Sequence, residues 1–123
     1  MTDPSEKRVR AERSGRFAET LAAFAYRLRG FEILDRRFKA AGGEIDLVAR
    51  RGALLVFAEV KRRADVDAAL SAVTYRNRRR MEAAVRSWLA RHPRLSGSDI
   101  RYDIAAVAGL RVKIAAAAWR EGD

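Results

Sequence analysis

Two apolar segments that carry charges at alternating positions most constrain what this chain can fold into. Residues 42–63 read GGEIDLVARRGALLVFAEVKRR. Successive side chains of a β-strand point to opposite faces, so Glu44 and Asp46 share one face of the first strand. By the same rule, Glu59 and Lys61 share one face of the second strand. The segment therefore predicts two strands that each carry two charges on one face.

The turn between the two strands decides which residues oppose each other. Glycine is favoured at the first central position of a type II′ turn, because that position needs a positive φ. A two-residue turn at 52–53 begins with such a glycine. It places Asp46 opposite Glu59 and Glu44 opposite Lys61. The predicted hairpin thus brings two carboxylates within about 5 Å of each other, measured between Cβ atoms.

A longer turn changes the pairing but not the face. A four-residue loop over 50–53 would oppose Asp46 to Phe57 and leave Glu59 on the diagonal. Two carboxylates this close repel each other unless a positive charge lies nearby. A divalent cation is one explanation, and a solvated sheet face with an ordinary cross-strand ion pair is the other. The hairpin alone leaves both explanations open.

The composition restricts which metal such a site can take. The chain has no cysteine, and its single histidine, His92, lies in a distant segment. A site made only of oxygen ligands favours hard ions, so Mg²⁺ or Mn²⁺ is predicted.

A helix is predicted before the strands, from Asp3 as its N-cap to Gly30 as its C-terminal cap. An apolar stripe with helical spacing is expected to face the core, and it consists of Phe17, Leu21, Phe24 and Leu28. Beside it lies a flank of small residues, Ala18, Ala22 and Ala25.

The order of the elements predicts the fold class. After the first helix, the patterns indicate strands over 31–38, 44–49 and 53–61, a helix over 66–91, and strands over 100–108 and 110–119. The alanine run in the last of these is also compatible with a helix. An antiparallel hairpin followed by a crossover helix indicates an α/β three-layer sandwich with a mixed sheet, ordered αβββαβ(β). We expect one domain over residues 1–123, with 1–14 and 119–123 less ordered.

The charge distribution predicts a polyanionic partner. The net charge is +10, and most of the excess follows Lys61. Such a field attracts nucleic acid. Five arginines of the second predicted helix are candidates for phosphate contacts: Arg76, Arg78, Arg79, Arg80 and Arg86. Each is also compatible with an ordinary solvated helix position.

Other polyanions and locations are less well supported. An anionic membrane surface is the competing partner, but the arginine-rich segment lacks a broad apolar face. No apolar run approaches the ~20 residues that span a bilayer, and the first residues lack a secretory apolar core. We therefore expect a cytoplasmic protein without a membrane partner, which can also form a homodimer. Charge that serves solubility alone is the simplest alternative.

The segments GGEIDLV and VFAEVKRR resemble the YraN-like family of small bacterial proteins, which share the restriction-endonuclease-like fold. The wider superfamily carries a D…(D/E)xK nuclease motif. Asp46 matches its aspartate, and Glu59-Val60-Lys61 matches its ExK. The resemblance extends over roughly residues 15–108, from the first helix to RYDIAAV.

The resemblance implies metal-dependent hydrolysis of phosphodiester bonds in DNA. Branched or damaged DNA is suggested by similarity to small junction-resolving nucleases of this fold. The implied metal ligands are the carboxylates of Asp46, Glu59 and Glu44 with the carbonyl of Val60. Lys61 would position the attacking water or stabilise charge on the phosphate.

Two further positions follow from the resemblance. Related nucleases often add a glutamate from the first helix, and Glu19 is the matching residue. Helical spacing, however, puts Glu19 opposite the apolar stripe, where a solvated side chain is expected unless the alanine flank packs on the sheet. Family members commonly have a lysine where Asn77 stands here. Asp103 is expected to play a structural role, such as pairing with an arginine.

Two other functions fit the same sequence. A protein that keeps the fold and basic surface could bind nucleic acid without cleaving it, and an RNA- or ribosome-associated protein fits the charge equally well.

Overall fold

Five strands lie in one sheet in chain order in a computed structural model, which describes residues 3–123. The strands are β1 (Glu32–Ala40), β2 (Gly43–Arg51), β3 (Leu54–Arg62), β4 (Asp99–Ala108) and β5 (Arg111–Trp119). Strands β3 and β4 are parallel, and the other neighbouring pairs are antiparallel. A parallel pair needs a crossover connection, which two helices provide here.

The helices cover both faces of this sheet. They are α1 (Pro4–Leu28), α2 (Val66–Ser71) and α3 (Tyr75–Ala90). One apolar cluster joins the sheet to α3 through Trp88, and a second joins it to α1 through Tyr26. The predicted three-layer α/β sandwich with a mixed sheet is confirmed. Within residues 3–123, no helix combines the length and apolar content needed to cross a membrane.

The β2–β3 hairpin has the predicted register. Leu47 pairs with Ala58, and the pairing continues to Arg51 and Leu54 at the turn. Gly52 has a φ of +59°, as its place in a two-residue turn requires. The shorter of the two predicted turns is therefore correct.

The prediction of one helix over 66–91 is wrong, because α2 and α3 are separated at residues 72–74. Thr74 caps α3: its Oγ1 accepts a hydrogen bond from the Asn77 N–H at 3.1 Å. In return, the Asn77 Oδ1 accepts one from the Thr74 N–H at 3.2 Å. This capping box starts a new helix within the predicted one. It also gives Asn77 a structural role at the position where the family commonly has lysine.

The predicted core face of α1 is also wrong. Phe24 is 57% exposed and Leu28 is 73% exposed, whereas Ala22 and Ala23 are fully buried. Small side chains let the helix approach the sheet closely, and Tyr26 supplies the large buried group on that face. The alanine flank therefore packs on the sheet, and the apolar stripe faces outward.

Asp103, on β4, holds α1 to the sheet. Its carboxylate is fully buried and accepts hydrogen bonds from the Tyr26 hydroxyl at 2.8 Å and the Arg101 guanidinium at 2.8 and 2.9 Å. The Ala117 N–H donates a further bond at 3.0 Å. The predicted pairing of Asp103 with an arginine is confirmed, and the network joins α1, β4 and β5.

Candidate functional site

Strands β2 and β3 stop pairing next to the predicted site. Their last paired residues are Leu47 and Ala58. Beyond this point β2 continues beside β1, and β3 continues beside β4. The Asp46 carboxylate takes the place of the next ladder bond, since its Oδ2 accepts a hydrogen bond from the Val60 N–H at 2.7 Å. Asp46 is thus fixed against the centre of the Glu59-Val60-Lys61 triplet.

The neighbouring carboxylates perturb one another. Burial and then the negative charge of Glu59 raise the pKa of Asp46 to about 8, while the Val60 N–H opposes the shift. Burial also raises the pKa of Glu59, whose side chain is 13% exposed, and Lys61 opposes that shift. The Lys61 Nζ lies 3.3 Å from the Glu59 Oε1. The structure therefore brings Asp46, Glu59 and Lys61 together.

A cavity of about 290 Å³ opens beside Asp46 on the side of α1. Its lining mixes both signs of charge, with the carboxylates of Glu12, Glu19, Glu44 and Asp46 alongside Arg16, Arg37 and Lys39. Such a mixture suits a site that binds a cation and an anion side by side.

Glu19 belongs to this cavity, although helical spacing indicated a solvated position. The side that packs on the sheet is the alanine flank, so Glu19 is only 8% exposed. Its Oε2 accepts a hydrogen bond from the Arg37 Nε at 2.7 Å. The expectation of a solvated Glu19 is wrong for the same reason as the predicted core face of α1.

The candidate ligands have the right chemistry for a divalent cation, but their side chains are not arranged in a coordination geometry. Within residues 3–123, no three acidic, histidine or cysteine side chains are arranged as a metal-binding group. Glu59 is paired with Lys61, and Glu19 is paired with Arg37. All the candidate ligands are oxygens, which hard ions prefer. A cation between Asp46 and Glu59 would also offset the burial and the repulsion that together raise the pKa of Asp46.

Comparison with known proteins gives the family. The sequence profile of the uncharacterised protein family UPF0102 matches residues 18–107. The chain belongs to this family. The prediction of a YraN-like protein, made from the two motifs, is thereby confirmed.

Individual relatives match over most of their length. A UPF0102 protein of Methylorubrum extorquens strain PA1 is 48% identical over 109 residues, which are 89% of this chain and 85% of the relative. One of Methylobacterium nodulans is 49% identical over 110 residues, with the same shares. One of Chelativorans sp. strain BNC1 is 49% identical over 100 residues, or 81% of each chain.

The predicted phosphate-binding arginines of this UPF0102 chain have different surroundings. The Arg79 guanidinium donates to the Tyr75 hydroxyl at 2.7 Å and to the buried Glu82 at 3.2 Å. Arg86 forms an ion pair with Glu121 at 3.0 Å. Arg79 therefore pairs with a buried carboxylate, whereas Arg86 pairs with an exposed one.

The other three arginines are less engaged. Arg76 and Arg80 are exposed. Arg78 is partly buried, and its Nε has no hydrogen-bond partner among the described residues. Arg76 and Arg80 are thus the better candidates for contact with a partner.

Sequence reasoning missed how closely α3 approaches β2. A Cβ added to Gly43 would lie 2.0 Å from the Arg80 carbonyl oxygen, so only glycine allows this approach. The contact places the first turns of α3 three residues before Asp46 along β2. The Gly42-Gly43 pair was the available signal, because glycine within a strand pattern often marks a close backbone contact.

Proposed function

We propose that this UPF0102 protein is a metal-dependent endonuclease that hydrolyses phosphodiester bonds in DNA in the cytoplasm. The observation that carries the proposal is the hydrogen bond that fixes the Asp46 carboxylate against the Glu59-Val60-Lys61 triplet. It gathers two acidic side chains and one lysine at the point where two strands separate.

The chemistry requires a cation at these carboxylates. Asp46 and Glu59, with the Val60 carbonyl and Glu44, would hold Mg²⁺ or Mn²⁺. When bound, such an ion lowers the pKa of a water and polarises a phosphate. Lys61 supplies a fixed positive charge beside Glu59, suited to stabilising the negative charge that develops on the phosphate.

The basic surface supports nucleic acid as the substrate. The net charge of +10 attracts a phosphate backbone. Arg76 and Arg80 lie on the first turns of α3, which the Gly43 contact holds near Asp46 along β2. The resemblance to DNA nucleases favours DNA over RNA, and similarity to junction-resolving nucleases favours branched or damaged DNA.

A non-catalytic nucleic-acid-binding protein is the second candidate, and one observation favours it. Three carboxylates at or beside the cavity already have partners in the protein: Asp46 with the Val60 N–H, Glu59 with Lys61, and Glu19 with Arg37. A protein that only binds nucleic acid has no need to release these pairs.

A metal titration combined with a cleavage assay separates the two candidates. Wild-type protein and Asp46→Asn are titrated with Mn²⁺ by calorimetry. Both are then incubated with linear, single-stranded, flap and four-way-junction DNA. An endonuclease binds Mn²⁺ and cleaves at least one substrate, and Asp46→Asn loses both properties. A wild-type protein that binds DNA but no Mn²⁺ would establish the non-catalytic alternative.

A further inference from the structure

Arg37 has an unusual backbone conformation in the middle of β1. Its φ is +55°, and the only other non-glycine residue with a positive φ in residues 3–123 is Ala117. A positive φ is energetically unfavourable for arginine, whereas glycine and asparagine adopt it more readily. Strain of this kind tends to collect at functional sites and therefore calls for an explanation.

The conformation redirects the Arg37 side chain. Arg36 Nη2 donates a hydrogen bond to the Thr20 Oγ1 at 3.0 Å, and Arg37 Nε donates one to the Glu19 Oε2 at 2.7 Å. Two consecutive strand residues thus both reach α1, which regular alternation would forbid. The positive φ therefore sends Arg37 into the cavity beside Asp46.

The β1–β2 register gives the same position independently. Arg36 pairs with Leu47 and Phe38 pairs with Ile45, so Arg37 on β1 and Asp46 on β2 lie between the same two pairs. The Arg37 side chain is 39% exposed. Only its Nε is engaged by the part of the chain that the structure describes, which leaves the two Nη groups able to donate.

We propose that Arg37 binds a phosphate group of the nucleic acid that enters the cavity beside Asp46. Glu19 holds the guanidinium through Nε, and the two Nη groups donate to the phosphate oxygens. An arginine is suited to this contact because its planar donors match two phosphate oxygens at once. The assignment rests on the proposed nucleic-acid substrate, and it explains how an anion can approach a cavity lined by four carboxylates.

The neighbouring arginine provides a matched control. Arg37→Asn removes the guanidinium but keeps a residue that tolerates positive φ. Arg36→Asn removes the same charge from the adjacent position, which does not line the cavity. Arg37→Lys keeps the charge without the planar pair of donors. If Arg37→Asn does not fold, Arg37→Gly gives the same comparison without backbone strain.

The experiment measures binding of a fluorescent four-way DNA junction in EDTA, so that metal-dependent hydrolysis does not occur, over a series of salt concentrations. Arg37→Asn should weaken binding about tenfold and reduce the log–log salt slope by about 1. Arg36→Asn should change affinity by less than about threefold, and Arg37→Lys should keep the slope but lose part of the affinity. Mn²⁺ alone should bind to Arg37→Asn at least as tightly as to the wild type.

Three results would overturn the assignment. Equal losses in Arg36→Asn and Arg37→Asn would mean that only net charge matters. Weaker Mn²⁺ binding in Arg37→Asn would mean that Arg37 serves only to position the carboxylates. A wild-type protein without DNA affinity would reject both the assignment and the proposed function. A wild type that binds DNA but cleaves none rejects the endonuclease alone, since the contrast between the two asparagine variants depends only on binding.

Discussion

The Asp46 carboxylate accepts a 2.7 Å hydrogen bond from the main-chain N–H of Val60. This bond does in the folded chain what a strand-to-strand ladder bond does elsewhere in the hairpin. It keeps Asp46 buried beside Glu59, and this burial, followed by repulsion from Glu59, raises the pKa of Asp46 to about 8. The charged Asp46 carboxylate therefore destabilises the folded protein, and this effect can be measured without any substrate.

Asp46→Asn should stabilise the metal-free protein at alkaline pH. The folded pKa of about 8 lies above the ordinary value of 3.8, so the folded state keeps a proton that the unfolded state releases. Stability contributed by this proton is present below about pH 4 and is lost as the pH rises towards 8. Asparagine cannot ionise and avoids the loss. At pH 9 we expect the variant to be more stable by about 1–3 kcal/mol, the scale for relief of a poorly solvated buried polar group.

Thermal unfolding at pH 5 and pH 9 in EDTA measures this difference. At pH 5 the wild-type Asp46 is protonated, so the two proteins should unfold within a few degrees of each other. Exposed Asp67→Asn serves as a control that should change neither curve. A destabilised Asp46→Asn at pH 9 would contradict the conclusion that burial and repulsion disfavour the charged Asp46 carboxylate.

Mn²⁺ binding should strengthen as the pH rises. A metal ligand must be deprotonated, and the pKa of Asp46 is about 8, so binding competes with a proton below that pH. We expect the apparent affinity to rise by roughly tenfold per pH unit between pH 6 and pH 8 and to level off above. Calorimetry in buffers of different ionisation enthalpy would also detect the released proton. A pH-independent affinity would exclude Asp46 as a ligand.

The packing of α1 can be tested by two substitutions on opposite sides of the helix. Phe24→Gln changes an exposed residue and should alter stability by no more than about 0.5 kcal/mol. Ala22→Leu places a larger side chain at a fully buried position and should destabilise by about 1–3 kcal/mol. Urea unfolding of both variants is the measurement, and similar losses would contradict the observed orientation.

Sedimentation of the wild type and Phe24→Gln also tests the predicted homodimer.

These outcomes show which features a sequence pattern can predict. The β2–β3 register depends on a period of two and on Gly52, which are both local, and it was predicted correctly. The family motif then located Asp46, Glu59 and Lys61, which lie just beyond the last pair of that register, Leu47 with Ala58. Local information was sufficient because neighbouring residues in the chain are also neighbours in the hairpin.

Other features depend on contacts between distant segments. The apolar stripe of α1 gave the stronger periodic signal, yet the alanine flank packs on the sheet. This orientation lets the Tyr26 hydroxyl donate a hydrogen bond to the buried Asp103, which is 77 residues away in the sequence. The approach of Gly43 to Arg80 depends in the same way on two elements docking. The positive φ of Arg37 has no sequence signal, since arginine is not a residue that usually adopts it. Each of these features positions a side chain at the candidate site.

The arginines of α3 should separate into two groups. Arg76→Ala and Arg80→Ala should each weaken DNA binding and reduce the salt slope by about 1 for each phosphate that is no longer neutralised, because these exposed residues form no ion pair within residues 3–123. Arg79→Ala should instead reduce thermal stability, because it leaves the buried Glu82 without its arginine partner. Arg86→Ala is the control with an exposed ion pair and should have little effect on stability. If Arg79→Ala alone lost DNA affinity while unfolding normally, the grouping would be incorrect.

Lys61→Ala should separate metal binding from catalysis. Its ammonium lies 3.3 Å from the Glu59 carboxylate and is not itself a metal ligand, so Mn²⁺ should still bind. Loss of one preorganised charge-stabilising donor raises a reaction barrier by about 2.7–4 kcal/mol, so cleavage should fall about 10²–10³-fold. Arg63→Ala, a change of the same charge at an exposed position two residues away, should leave cleavage within about twofold. Single-turnover cleavage at saturating Mn²⁺ measures the chemical step for all three proteins. Equal cleavage rates in Lys61→Ala and Arg63→Ala would mean that Lys61 only pairs with Glu59 and takes no part in the chemical step. Loss of Mn²⁺ binding in Lys61→Ala would instead show that the lysine charge is needed to bring the carboxylates together.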